Sequence, residues 1–202
     1  MNRLTNRSGS AHQPVWLRVT HWTNVIAVTL MVMSGWRIYN ASPIFDFEFP
    51  DAMTLGGWLG GAIQWHFAAM WLLAANGLFY LACGLATGRL RRQMFPLRIR
   101  QLWTDFTAAL TGRLKHENDG RYNAVQKAAY LFVIADLILI VLSGLVVFKP
   151  VQFPLLRTLM GDFDNARIVH FVAMVALMGF IVVHVVMALL VPRTVVAMIR
   201  GH

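Results

Sequence analysis

After Arg167 the stretch RIVHFVAMVALMGFIVVHVVMALLV, residues 167–191, carries no Asp, Glu, Lys or Arg. A bilayer's hydrocarbon core, about 30 Å thick, is crossed by about 20 helical residues. In that medium a segment must satisfy its own backbone polar groups, which favours a helix. Three further runs are long and apolar enough to do the same: 15–38, 64–87 and 124–148. Pro14, just before the first, suits a first helical turn. Composition agrees, with 57% hydrophobic and 13% charged residues over 202 positions, against roughly 25% charged in soluble domains. The expectation is an all-α integral membrane four-helix bundle forming one domain over 1–202. Span one reads as an uncleaved anchor, since a polar stretch precedes it and its apolar run is too long for a signal peptide.

The formal net charge is +9, which by itself suggests nucleic-acid binding. Its distribution argues otherwise, because the bases sit between the apolar runs. The 88–121 connection holds Arg89, Arg91, Arg92, Arg98, Arg100, Arg113, Lys115 and Arg121, the tails add Arg3, Arg7, Arg193 and Arg200, and connection 39–63 has Asp46, Glu48 and Asp51 with no base. Connection 149–166 sets Lys149 and Arg157 against Asp162 and Asp164. The positive-inside bias puts both termini and 88–121 in the cytoplasm, and 39–63 and 149–166 outside. Within 88–121, Ile99, Leu102, Trp103, Phe106, Leu110 and Leu114 recur at helical spacing. They predict a cytoplasmic interfacial amphipathic helix, or a short helix packed under the bundle. No internal repeat stands out.

Cys83 is the single cysteine. That rules out an internal disulfide, a thiolate-bound iron–sulfur cluster and a CxxCH haem attachment within this chain. Any redox centre held by this chain alone must therefore use other ligands. His170 and His184 are fourteen residues apart on span four, nearly four helical turns, so they share a face about 21 Å apart along the axis. His21 lies near the cytoplasmic start of span one, and His66 lies at the outer end of span two. By depth, His66 matches His170 and His21 matches His184. Ionisable groups inside a membrane are costly and mark function. Two pairs at two levels suit two stacked b-type haems, each iron taking two imidazoles. Interhelical hydrogen bonding is the plainer reading of any one membrane histidine. Zinc would need four ligands converging at one point, which residues separated by four turns do not offer. His12, His116 and His202 fall in tails or loops.

RVTHW in span one, His66 opening span two, GRYNAVQKAAY entering span three and the His170–His184 spacing together resemble the bacterial cytochrome b561 and nickel-hydrogenase cytochrome b family. That family includes the membrane subunits of formate dehydrogenases and thiosulfate reductases, and the resemblance covers nearly the whole chain. It implies a bacterial inner-membrane di-haem cytochrome that moves electrons between quinone and a periplasmic oxidoreductase. Carried over, His66 and His170 hold the periplasmic haem, and His21 and His184 the cytoplasmic one. The YNAxQK region nominates Asn123 and Gln126 for quinone contact, although Asn123 also fits as a helix cap. The additional helix of many hydrogenase subunits is not apparent, which favours a molybdopterin-dependent partner. Some short relatives instead resemble self-sufficient quinone reductases that take electrons from superoxide.

Other residues carry two readings each. Asp136, mid-span, is a protonated or hydrogen-bonded carboxyl or a proton relay. Arg18, Arg37 and Arg167 pair with haem propionates or anchor the interface. Gly35, Gly77, Gly84, Gly144 and Gly179 make room for porphyrin or for close helix packing. The aromatic and acidic connections 39–63 and 149–166 read as a docking surface over the outer haem, or as its cap.

Overall fold

A computed structural model describes residues 13–94 and 124–201. The expected amphipathic helix over 99–114, Asn123, His12, His116 and His202 lie outside that range. The described residues are mostly helical and divide into two compact units, one over 13–88 with 197–201, the other over 89–94 and 124–196. Four helices are long and apolar enough to cross a membrane. The all-α class with four membrane-length helices is therefore what the chain adopts.

The first unit pairs α1 (Val15–Ala41) with α2 (Leu59–Ala86). The apolar run alone suggested a start near 64, yet α2 begins at Leu59, with Trp58 in extended conformation ahead of it. Gly60 and Gly61 fall in its first turn, where amide groups lack intrahelical partners in any helix. Buried positions recur every seven residues: Thr20, Ala27 and Ser34 on α1, and Ala62, Ala69 and Asn76 on α2. Such a repeat keeps one seam facing a neighbouring helix. Small residues in that seam bring the backbones close, which drives helix association where lipid is as apolar as leucine. Larger side chains point away from the pair: Trp71, Leu78 and Leu85 are each 70% exposed.

One contact near each end sets the antiparallel register. Asn76 Nδ2 donates to the Thr20 carbonyl at 2.8 Å and to Asn24 Oδ1 at 2.6 Å. At the other end Ser34 meets His66. Hydrogen bonds between membrane helices contribute about 0.6 kcal/mol on average and up to about 1.7. Asn76→Ala is therefore expected to lower α1–α2 stability by about 1–2 kcal/mol, seen as an earlier midpoint in denaturing-detergent unfolding. An unchanged midpoint would show the pair to be held by packing alone.

The α1–α2 connection folds back on α1. Asn40 clamps Phe49 through both amide groups, Nδ2 to Phe49 O at 2.7 Å and Phe49 N to Oδ1 at 2.9 Å. Phe49 stacks on Trp36 at 4.7 Å. Arg37 reaches Asp51 at 2.5 Å. Phe45 and Phe47, stacked in parallel, stay 46% exposed. At the opposite end of α1, Arg18 Nη1 donates to Ile199 O at 2.7 Å and Trp22 Nε1 to Met198 O at 3.2 Å. These bonds cover orphan carbonyls at the C-terminus of the last helix, as a cation there should.

The second unit contains the short α3 (Arg89–Met94), then α4 (Ala124–Phe148), a one-and-a-half-turn α5 (Pro154–Leu159) and α6 (Phe163–Leu190), and its chain continues into α7 (Pro192–Arg200). Helix α6 also starts ahead of the apolar run. Asp162 caps it, accepting from Phe163 N at 2.7 Å and from Arg157 Nε at 2.6 Å. Those bonds offset a φ of +88° at Asp162, a conformation that costs a non-glycine residue about 1–3 kcal/mol. Arg157's hydrogen bond, then the Phe163 amide, hold the Asp162 carboxyl below the usual carboxylate range. The α4–α6 seam again uses small residues, with Ser143, Val146 and Ala166 fully buried and Ala173 nearly so.

Candidate functional site

In each unit a histidine ring rests on a Ser-Gly pair of the neighbouring helix. In the first, His66 Nδ1 lies 3.1 Å from Ser34 Oγ. Ser34 also sits 2.5 Å from Leu30 O, one turn back. A hydroxyl has one proton, and the carbonyl can only accept, so that proton goes to Leu30. The lone pair of Ser34 then faces His66, and His66 Nδ1 must be the donor. In the second unit, Ser143 Oγ donates to Leu139 O at 2.7 Å and lies 3.1 Å from His170 Nδ1. His170 Nδ1 is also 3.0 Å from Ile140 O, an acceptor that independently requires a proton on Nδ1.

Both rings thus carry hydrogen on Nδ1, which in a neutral imidazole leaves the electron pair on Nε2. This is the tautomer needed to ligate a metal through Nε2, with the second nitrogen oriented by a carbonyl or hydroxyl. Glycine follows each serine. A Cβ at Gly35 would meet His66 Cε1 at 3.5 Å, and one at Gly144 would meet His170 Cε1 at 3.1 Å and Nδ1 at 3.5 Å. At Gly77 and Gly179 a Cβ would meet nothing within 4 Å among the described residues.

The other two histidines stand differently. His21 packs edge-on against Trp22 at 5.2 Å. His184 is exposed on α6, its ring stacked on Phe180 at 5.9 Å. His21 and His66 belong to the α1–α2 pair, and His170 and His184 to one helix of the other unit. Among the described residues no three His, Cys, Asp or Glu side chains form a group that could hold a metal ion. A b-type haem would bring nitrogens of its own to an iron, and the imidazoles of His66 and His170, with hydrogen on Nδ1, would suit such a group through Nε2.

Gln126 lies in the first turn of α4 with its side chain exposed. Arg37 is engaged with Asp51, and Arg18 with the Ile199 carbonyl while its buried Nε has no partner among the described residues. Asp136 is buried, and its Oδ2 has no hydrogen-bond partner among the described residues. The sequence reading passed over Ser34, Ser143 and Asn76. A Ser-Gly dipeptide in both span one and span three was the available signal for the two serines.

A family model described as prokaryotic cytochrome b561 matches residues 12–201. The chain belongs to that family. Among its relatives is a putative protein-methionine-sulfoxide reductase subunit, YedZ1, of Azospira oryzae, 61% identical over 95% of this chain and 97% of that protein. The cytochrome b556(fdo) subunit of formate dehydrogenase from Escherichia coli K12 is 37% identical over 82 residues, covering 41% of this chain and 38% of that subunit. This cytochrome b561 family member is thus a multi-pass membrane electron-transfer subunit of the b-type haem class.

Proposed function

We propose that the chain carries electrons between the quinone pool and a periplasmic oxidoreductase, which it also anchors, and that the partner reduces methionine sulfoxide in proteins. The observation that carries this reading is the 61% identity, over nearly the full length of both chains, to a subunit named for that activity. The balance closes: a sulfoxide takes two electrons and two protons to give thioether and water, and a quinol gives up the same in becoming quinone. A b-type haem supplies the one-electron redox centre, with a potential tuned by its ligands and their hydrogen bonds.

The chain's own part is to bind, orient and exclude water. His66 and His170 are proposed as ligands of one haem, and His21 and His184 as ligands of a second. The small-residue seams hold the ligand helices in fixed register, and bulky outward faces keep the site in hydrocarbon. Gln126, with Asn123, is proposed to offer amide donors to a quinone carbonyl. With the base-rich connection in the cytoplasm, as the positive-inside rule has it, the ordered aromatic turn around Phe45 and Phe47 lies on the periplasmic side. There it offers an apolar docking surface beside Asp46, Glu48 and Asp51.

The test is turnover of the purified chain in vesicles supplied with quinol. Quinol oxidation is expected only when a periplasmic methionine-sulfoxide reductase from the same cells and oxidised protein are both present. Quinone reduction by superoxide, with no partner added, would overturn the reading in favour of a self-sufficient superoxide:quinone oxidoreductase.

A further inference from the structure

The two Ser-Gly/His arrangements repeat in helix pairs that otherwise share little sequence, and each serine is fully buried. Ordinary packing does not require a hydroxyl there, and a buried hydroxyl costs free energy unless it is hydrogen-bonded. Each serine gives its proton to the carbonyl one turn back, Leu30 O or Leu139 O. Its remaining acceptor capacity faces Nδ1 of a histidine at 3.1 Å. The glycine after Ser143 allows the imidazole to approach the helix, because a Cβ there would stand 3.1 Å from His170 Cε1, while at Gly35 the corresponding 3.5 Å is an ordinary contact.

We propose that Ser34 and Ser143 are positioning residues for His66 and His170: each accepts the Nδ1 proton, fixes the Nε2-ligating tautomer and tunes the potential of the iron that Nε2 binds. The inference rests on the assignment of His66 and His170 as haem ligands. Its physics is local. An acceptor on Nδ1 makes the imidazole a stronger electron donor, which favours the ferric state. Removing the acceptor should make the haem easier to reduce. At His170 the Ile140 carbonyl, 3.0 Å away, would keep part of the effect when Ser143 is changed.

The test is a redox titration of the intact purified chain, followed by haem absorbance, with low-temperature paramagnetic resonance of the oxidised form. Ser34→Ala is expected to raise the reduction equilibrium constant of one haem by up to tenfold, where tenfold equals 59 mV for one electron. The haem that moves should be the one lost in His66→Ala. Ser34→Thr, which keeps the hydroxyl, should restore the wild-type potential and resonance positions. Ser143→Ala should shift the haem lost in His170→Ala in the same direction. Unchanged potential and resonance in Ser34→Ala, with one haem lost in His66→Ala, would overturn the positioning role alone. Equal shifts in Ser34→Ala and Ser34→Thr would also overturn it, since volume and not the hydroxyl would then matter. Full haem content in His66→Ala and His170→Ala would instead overturn the ligand assignment beneath it.

Discussion

Purified His170→Ala protein is expected to keep one of the two b-type haems proposed for the chain. Its dithionite-reduced minus oxidised absorbance should therefore fall by roughly half, because an axial nitrogen is the main protein bond to a haem iron. His66→Ala is expected to lose the same haem. The double variant His66→Ala/His170→Ala should then lose no more than either single variant. His66→Ala combined with His184→Ala should lose both haems. Non-additivity of this kind identifies residues that act on one centre, and it tests the pairing that depth along the helices suggested. Loss of both haems in His66→Ala/His170→Ala, with one lost in each single variant, would assign the two histidines to different irons. Colourless wild-type protein from haem-replete cells would leave all four histidines as interhelical hydrogen bonders.

Gly144→Ala is expected to be damaging, and Gly35→Ala to be tolerated. Alanine is favoured over glycine within a helix by about 1 kcal/mol, so both changes begin with a gain. At Gly144 the new Cβ would stand 3.1 Å from His170 Cε1, closer than an ordinary contact. His170 cannot retreat freely, because Ser143 Oγ and Ile140 O hold Nδ1 at 3.1 and 3.0 Å. Overpacking of this kind costs about 1–3 kcal/mol, which outweighs the gain. At Gly35 the corresponding distance is 3.5 Å, an ordinary van der Waals contact. Haem per chain and thermal unfolding in detergent measure both. Haem loss and lower stability are expected in Gly144→Ala, and values at or above wild type in Gly35→Ala. Haem loss in Gly35→Ala without lowered stability would show that glycine to be making room for porphyrin and not for imidazole.

The spans were legible because transfer from water to lipid is nearly additive over some twenty side chains, so a one-dimensional sum finds them. Their ends were less so. Helix α2 starts at Leu59 and α6 at Phe163, ahead of the apolar runs, because a helix begins where its cap and first turn allow. Asp162 and Trp58 set those positions, and neither is marked by hydropathy. The family was legible in RVTHW, GRYNAVQKAAY and the histidine spacing, which the match over 12–201 supports.

The sequence by itself determined that this chain lives in a membrane, how many helices are long enough to cross it, and which side chains are the candidate ligands. It did so because those properties belong to single residues or to sums along one helix. Only the tertiary structure decided what Nδ1 of His66 and of His170 touches. Ser34 and His66 are 32 residues apart, while Ser143 and His170 are 27 apart. Connections of different length hide one local arrangement used twice, and no fixed period along the chain reveals it. Helix register brings the hydroxyls to the rings, and register is set by small seam residues on two helices at once.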